Sequence, residues 1–301
     1  MRILNYGSLN IDFVYQVPHI VRPGETIHGG DFKTYAGGKG ANQSVALARA
    51  GAEIWHAGKI GEDGLWLKDI LEQSGVHAEF IHKYPGPTGH TFIQVSPEGQ
   101  NAIVLYSGGN YKNLPQEMDA TLSCFAAGDY LVLQNEINLV PELMDKAHAK
   151  GLRLCLNPAP FTENIKSWPL EKLELLIVNE IEAESLAGVE GNYETILDVL
   201  VAKYPDVKIL LTLGAEGSIY GRNAERVRVR IPSLNLPIVD TTAAGDTYFG
   251  YFLKTMIAGK SIHQAMVTAS LAAYLTVSRP GAMSSIPYAS EVETLASESG
   301  M

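Results

Sequence analysis

The chain has 301 residues, 46% of them hydrophobic, enough for a sizeable core in one large domain or two modest ones. Its 23 basic and 33 acidic residues leave a net charge of −10, and no Lys/Arg run is long enough to make a basic stripe. That balance argues against a nucleic-acid backbone or an anionic membrane as partner, but leaves room for a small phosphorylated ligand held by a few local donors.

The opening MRILNYGSLNIDF reads as a first strand rather than a signal peptide, having no small-residue cleavage pattern. No apolar run approaches the roughly 18 residues of a membrane span, so the expectation is a soluble, cytoplasmic protein. Cys124 and Cys155 form no CxxC pair and read as buried, reduced thiols. In the first third, DFVYQVP, ETIHGGDFKTY, GHTFIQVS and NAIVLYS read as half-polar strands that do not fit a β-α-β rhythm. They predict a small β-sheet lid, within about residues 12–35 and 88–106, over a ligand site. Between them, AGGKGANQSVALARAG is a glycine-rich turn into a helix, and GKIGEDGLW is a turn and helix start whose spacing is not the dinucleotide fingerprint.

From Tyr130 onwards the rhythm changes. YLVLQ, RLCLN, LLIV and KILLTL read as short apolar strands, separated by the helical PELMDKAHAK, EIEAESLA and YETILDVLVAKY. Continuous apolar strands alternating with helices predict a mostly parallel sheet with helices on both faces. Two apolar helices, AAGDTYFGYFLKTMIAG and HQAMVTASLAAYLTV, follow. With no linker, repeat or low-complexity segment, residues 1–301 are expected to form a single α/β domain carrying the lid.

Candidate chemistry concentrates at strand exits and at two small-residue turns. Asp12, Glu136, Asn157 and Asn179 each follow a strand, and each alone could be a turn or cap; together they occupy the ends at which parallel sheets bind ligands. Gly37, Gly38 and Gly40 let a backbone approach a ligand closely, although a tight turn explains them too; Lys39 and Asn42 beside them suit a polyol. In DTTAAGD, Ala243, Ala244 and Gly245 expose backbone N–H groups at a helix start, where phosphate oxygens are stabilised. Asp246 in the same turn would repel a phosphate. It either serves the helix dipole or takes a proton from an attacking hydroxyl. The eight histidines lack metal-ligand spacing, and no nucleophile elbow occurs.

GSLNID, GGKGAN, LQNE, NPAP, VNEIEAE, TLGAEG, DTTAAGD and RPGAMSSIP, in that order across nearly the whole chain, resemble the ribokinase family of carbohydrate kinases, the phosphofructokinase-B type. The resemblance implies a ribokinase-like fold and an ATP-dependent kinase phosphorylating the primary hydroxyl of a pentose, D-ribose first, to give ribose 5-phosphate. It assigns Asn10, Asp12, Gly38, Lys39, Asn42 and Glu136 to the sugar and Asp246 to proton removal. Ala243, Ala244 and Gly245 become the anion hole, and Thr212, Gly214 and Gly217 the nucleotide site. Asn179 and Glu182 match the NxxE element that supports Mg2+ and phosphate through water. Asp240, the carbonyl of Thr242 and carbonyls of 279–285 would hold a monovalent cation, usually K+. The family commonly pairs lids in a homodimer.

Two positions depart from the pattern: Tyr251 is large where a small residue is usual, and Ser270 replaces a histidine expected near the adenine. Deoxyribose, a hexose or a nucleoside is the alternative substrate, and a sugar-binding protein without catalysis the remaining reading.

Overall fold

The computed structural model describes residues 1–231, 234 and 236–300. The first third supplies β1 (Ile3–Tyr6), β2 (Asn10–Gln16), β3 (Asp31–Gly37), α1 (Lys39–Arg49), β4 (Ile54–Ile60) and α2 (Leu65–Gln73). It continues with β5 (His77–Lys83), β6 (Gly89–Val95) and β7 (Asn101–Tyr106). The middle alternates α3 (Pro115–Ser123), β8 (Tyr130–Gln134), α4 (Val140–Ala149), β9 (Arg153–Asn157), β10 (Leu173–Asn179), α5 (Glu180–Ala187), α6 (Tyr193–Lys203) and β11 (Lys208–Thr212). The last third holds β12 (Ser218–Arg222), β13 (Glu225–Val229), α7 (Ala244–Ile257), α8 (Ile262–Val277) and α9 (Ala289–Ser299).

Among the described residues, nine strands form the main sheet in the order β13-β12-β11-β10-β9-β8-β1-β4-β5. It is parallel from β11 to β5, with β12 and β13 antiparallel at one edge. Successive residues of the central strands feed two separate cores. Tyr130, Val132, Cys155 and Ile177 join the side covered by α1, α2, α7, α8 and α9. Leu131, Leu133, Leu156 and Val178 join the side covered by α3, α4, α5 and α6. Burial on both faces is why these strands read as unbroken apolar runs.

A second sheet, β3-β2-β6-β7, projects from this body, with only β2 and β6 parallel to one another. Period-2 alternation gives it two unlike faces. Asp12, Val14, Thr91 and Ile93 turn towards the cleft beneath. Phe13, Tyr15, Phe32 and Phe92 meet one another on the other face.

The expected α/β architecture with a small additional sheet is present. Three details differ from the sequence reading. ETIHGG is not strand, and β3 starts only at Asp31. The antiparallel pair β12 and β13 was not anticipated, because the buried β12 is short and broken by Ser218 and Gly221, while the edge strand β13 carries two arginines and is mostly exposed. Cys124 is exposed, since it caps the C-terminus of α3 on the solvent side, whereas Cys155 is buried as expected. Among the described residues no helix is long and apolar enough to cross a membrane.

Candidate active site

A cleft of about 1040 Å3 opens between the carboxyl ends of β8, β9, β10 and β11 and the underside of the projecting sheet. Open parallel sheets bind ligands at these ends. Asn10, Asp12, Gly38, Lys39, Asn42, Glu136, Asn179, Glu182, Thr212, Asp240, Thr242 and the run Ala243 to Asp246 all line it. Gly214 and Gly217 do not. Gly217 has φ +92° and a Cβ there would stand 2.1 Å from the Val229 carbonyl oxygen, so its need for glycine lies in the turn into β12.

Asp246 reaches the cleft because α7 crosses α1 at close range, with glycine at the crossing. A Cβ on Gly250 would meet the Ala46 Cβ at 2.5 Å. One turn earlier, Asn42 Nδ2 donates to Asp246 Oδ2 (3.0 Å) and Gln43 Nε2 to Asp246 Oδ1 (2.9 Å). Asp246 is only 6% exposed, yet both its oxygens are bonded. Ala243, just ahead of α7, has φ +62°, an uncommon conformation for a residue with a side chain. The Ala244 N–H turns back to the Thr241 carbonyl at 3.3 Å. For the N–H groups of Gly245 and Asp246, no acceptor occurs among the described residues. Such orphan donors, with open space beside Gly245, make an anion-binding helix end.

The polyol candidates are held by partners that sequence reading did not identify. Ser8 Oγ and the Lys39 backbone N–H (3.0 Å) both donate to Glu136 Oε2. Burial pushes the Glu136 carboxyl above its ordinary value, an effect the Lys39 ammonium only partly offsets. Thr91 Oγ1 donates to Asp12 Oδ1 (2.6 Å), and burial raises the Asp12 carboxyl too. Asn110 Nδ2 donates to Asn10 Oδ1 (2.7 Å). Gly37 is required by Asp12, whose Oδ2 would lie 1.9 Å from a Cβ, and Gly38 has φ +94°. The glycines of GGKG thus serve both readings: they make the turn and bring the site together. Burial alone would lower the Lys39 ammonium, but Asp246, Glu136 and Glu182 around it carry it above the usual lysine value.

On the opposite side, Asn179 and Glu182 form a reciprocal cap of α5. The Glu182 N–H donates to Asn179 Oδ1 (2.9 Å), and the Asn179 N–H to Glu182 Oε2 (3.0 Å). Burial raises the Glu182 carboxyl. Asp240 Oδ1 accepts from the Thr242 N–H (2.9 Å) and Oδ2 from the Gly281 N–H (3.0 Å), tying two cleft loops together. Burial would raise Asp240, but the Thr242 and Gly281 donors outweigh it and hold the carboxyl below its ordinary value. Arg49, at the far end of α1, donates to the carbonyls of Met283 (2.9 Å) and Ile286 (2.5 Å) in the same loop. Neither departure from the family pattern intrudes on the cleft. Tyr251 is buried with its hydroxyl on the Pro287 carbonyl (2.7 Å), and Ser270 donates to Met266 O within α8 (2.8 Å).

Among the described residues, two lysines and five carboxylates line the cleft. That surplus of negative charge cannot neutralise a polyphosphate unaided. Among the described residues no three His, Cys, Asp or Glu side chains converge to hold a metal. A carboxylate such as Glu182 beside substrate phosphates nevertheless fits Mg2+, which keeps several waters and needs only one or two protein carboxylates. A carboxylate, a helix N-terminus and buried polar groups in one cleft suit in-line phosphoryl transfer to a hydroxyl.

A family profile for pfkB family carbohydrate kinases matches residues 2–289. The chain belongs to that family. This pfkB-family chain is 36% identical to a ribokinase of Haemophilus influenzae over 289 residues, covering 93% of this chain and 94% of the relative. A crystal structure of ribokinase from Cryptococcus neoformans in complex with ADP superposes with a TM-score of 0.84 at 35% identity, covering 97% of this chain and 99% of that one. A ribokinase of Arabidopsis thaliana complexed with ribose and ATP also reaches 0.84, at 28% identity and 97% coverage of both chains. Within this pfkB-family site, sequence reading had passed over Ser8, Gln43, Thr91 and Asn110. All four are small or amide groups, Ser8 and Gln43 in or beside recognised motifs and Thr91 and Asn110 outside them, and their role is visible only once the elements cross.

Proposed function

We propose that the chain is an ATP-dependent kinase transferring the γ-phosphoryl group to the primary hydroxyl of D-ribose. The observation that carries this reading is the turn at the start of α7, where Asp246 stands beside the unpartnered N–H groups of Gly245 and Asp246. Asp246 accepts the hydroxyl proton as the oxygen attacks, and the N–H groups meet the charge on the transferring phosphoryl. Asn10, Asp12, Lys39, Asn42 and Glu136 hold the sugar hydroxyls. The buried Asn42 Oδ1, which lacks a protein partner among the described residues, supports that role. Thr212, with the turn at Gly214 and Gly217 behind it, borders the nucleotide.

The Asn179–Glu182 cap would offer a carboxylate to Mg2+ entering with ATP, which would supply positive charge for the phosphates. Asp240, the Thr242 carbonyl and carbonyls of 279–285 would hold a potassium ion, which would add positive charge near the anion hole. The exposed aromatic face of the projecting sheet supports a homodimer formed lid to lid. Two free cysteines support a cytoplasmic location.

A coupled ADP-release assay across pentoses, deoxyribose, hexoses and nucleosides tests the reading. The account expects ribose to give the highest kcat/KM. Release with a nucleoside or hexose alone would move the assignment to that substrate, and release with none would remove it.

A further inference from the structure

Behind Asp246 runs a chain of buried amides. Gln43 Nε2 donates to Asp246 Oδ1 (2.9 Å) and to Asn157 Oδ1 (3.2 Å), and Gln43 Oε1 accepts from Gln134 Nε2 (2.7 Å). Gln134 Nε2 also donates to Asn5 Oδ1 (3.1 Å). Asn5 Nδ2 donates to the Gly40 carbonyl (2.7 Å) and to Ser44 Oγ (2.9 Å), which lies 2.8 Å from His56 Nδ1. Asn5, Gln43, Ser44, His56 and Gln134 are each 0% exposed. Burying five polar side chains is costly, and apolar residues of similar size would serve packing as well.

The chain is polarised. The Asn5 oxygen and the Gln43 oxygen both accept from Gln134 Nε2, so Gln43 turns its oxygen away from the cleft and its N–H2 towards Asp246. A flipped Gln43 would set oxygen against carboxylate and amine against amine. We infer that Gln43 is a positioning residue for Asp246, kept in its donating orientation by Gln134 and Asn5. Asn42 on Oδ2 and Gln43 on Oδ1 then hold the carboxylate in one rotamer, aimed at the attacking hydroxyl. The inference rests on the kinase reading above.

The charged groups around Asp246 are Lys39 on α1, Glu136 beyond β8 and Glu182 on α5. His56, at the far end of the chain, is held down to about 3 by burial and stays neutral. Exchanging one amide for a thioether of similar length therefore changes Asp246 without adding or removing charge.

The test is steady-state kinetics of Gln43→Met and Gln134→Met against wild type, with ribose and ATP varied. Gln43→Met is expected to lower kcat on the order of 10- to 100-fold, the scale of a displaced catalytic group, with little change in either KM. Gln134→Met touches neither Asp246 nor the cleft, and should lower kcat by less, again with little change in KM. It keeps the inference open to refutation should Gln43→Met not fold. A folded variant with wild-type kcat, or one whose KM for ribose rises as much as its kcat falls, overturns the inference. A wild type that releases no ADP with any sugar would instead defeat the kinase reading itself.

Discussion

Gly250 of α7 sits against Ala46 of α1 so closely that a Cβ on the glycine would stand 2.5 Å from the alanine Cβ and 2.9 Å from its carbonyl carbon. One turn back along each helix, Asn42 and Asp246 are joined by a 3.0 Å hydrogen bond. The contact behind the site therefore sets the distance within it. Gly250→Ala should destabilise the protein by about 1–3 kcal/mol, as overpacking a tight core contact does. It should also lower kcat more than it raises KM, because Asp246 moves with its helix. Denaturant unfolding beside kinetics checks both, and an unaltered kcat in a destabilised protein would separate the crossing from the chemistry.

Glu136 carries a pH signature. Burial lifts its carboxyl above the ordinary value of 4.5, with Lys39 offsetting only part. A carboxyl raised on folding contributes stability that is fully present below its unfolded value and lost as pH rises through the folded value. Ionised Glu136 thus weakens the sugar-free protein at neutral pH. Glu136→Gln should raise the melting temperature there, and the gain should fade as pH falls towards the unfolded value. The same substitution should raise the KM for ribose about 10- to 100-fold, since a hydrogen bond to a charged group contributes about 1.5–3 kcal/mol. A lower melting temperature at neutral pH would contradict the burial argument.

Asp240 is tied to Thr242 and Gly281 through both oxygens and stays ionised over the working range. If it serves a monovalent cation, wild-type kcat at constant ionic strength should be several-fold higher in potassium than in a bulky organic cation, on the scale of a partly buried charge interaction of about 1–2 kcal/mol. Asp240→Ala should flatten that difference. Equal wild-type rates in both salts would exclude the cation.

The outer face of the projecting sheet exposes Phe32 (51%), Phe92 (44%), Val104 (67%) and Tyr106 (50%). Apolar exposure of this kind marks an interaction surface. Sedimentation should find wild type as a dimer and Phe92→Asp with Val104→Asp as a monomer. A monomeric wild type at micromolar concentration would show that this face has some other occupant.

Much of this was legible in sequence, because its signals are local. The runs YLVLQ and KILLTL carry the two-sided burial of β8 and β11, and AAGD carries the helix start at which Asp246 stands. The dual nature of Asn179 and Glu182 was half visible: their spacing is that of a cap as much as of a ligand pair, and the cap is what their side chains form. Contacts made across the fold were not legible. Gln134 ends an apolar strand and Gln43 follows Asn42, yet their contact spans 91 positions and depends on how α1 lies over β8. Gly250 fits the small-residue pattern of the family, but only its contact with Ala46 shows why a side chain is excluded. The antiparallel β12 and β13 escaped notice because β12 is short and interrupted by Gly221, and β13, at the edge, needs no apolar run.

The central claim, that Asp246 removes the proton from the sugar hydroxyl, is tested most directly by comparing wild type with Asp246→Asn for ribose-dependent ADP release, with ribose binding followed by calorimetry. The account predicts that the variant still binds ribose while its kcat falls about 10^2- to 10^4-fold, the usual contribution of a positioned general base. Ribose-dependent turnover by Asp246→Asn at the wild-type rate would contradict it.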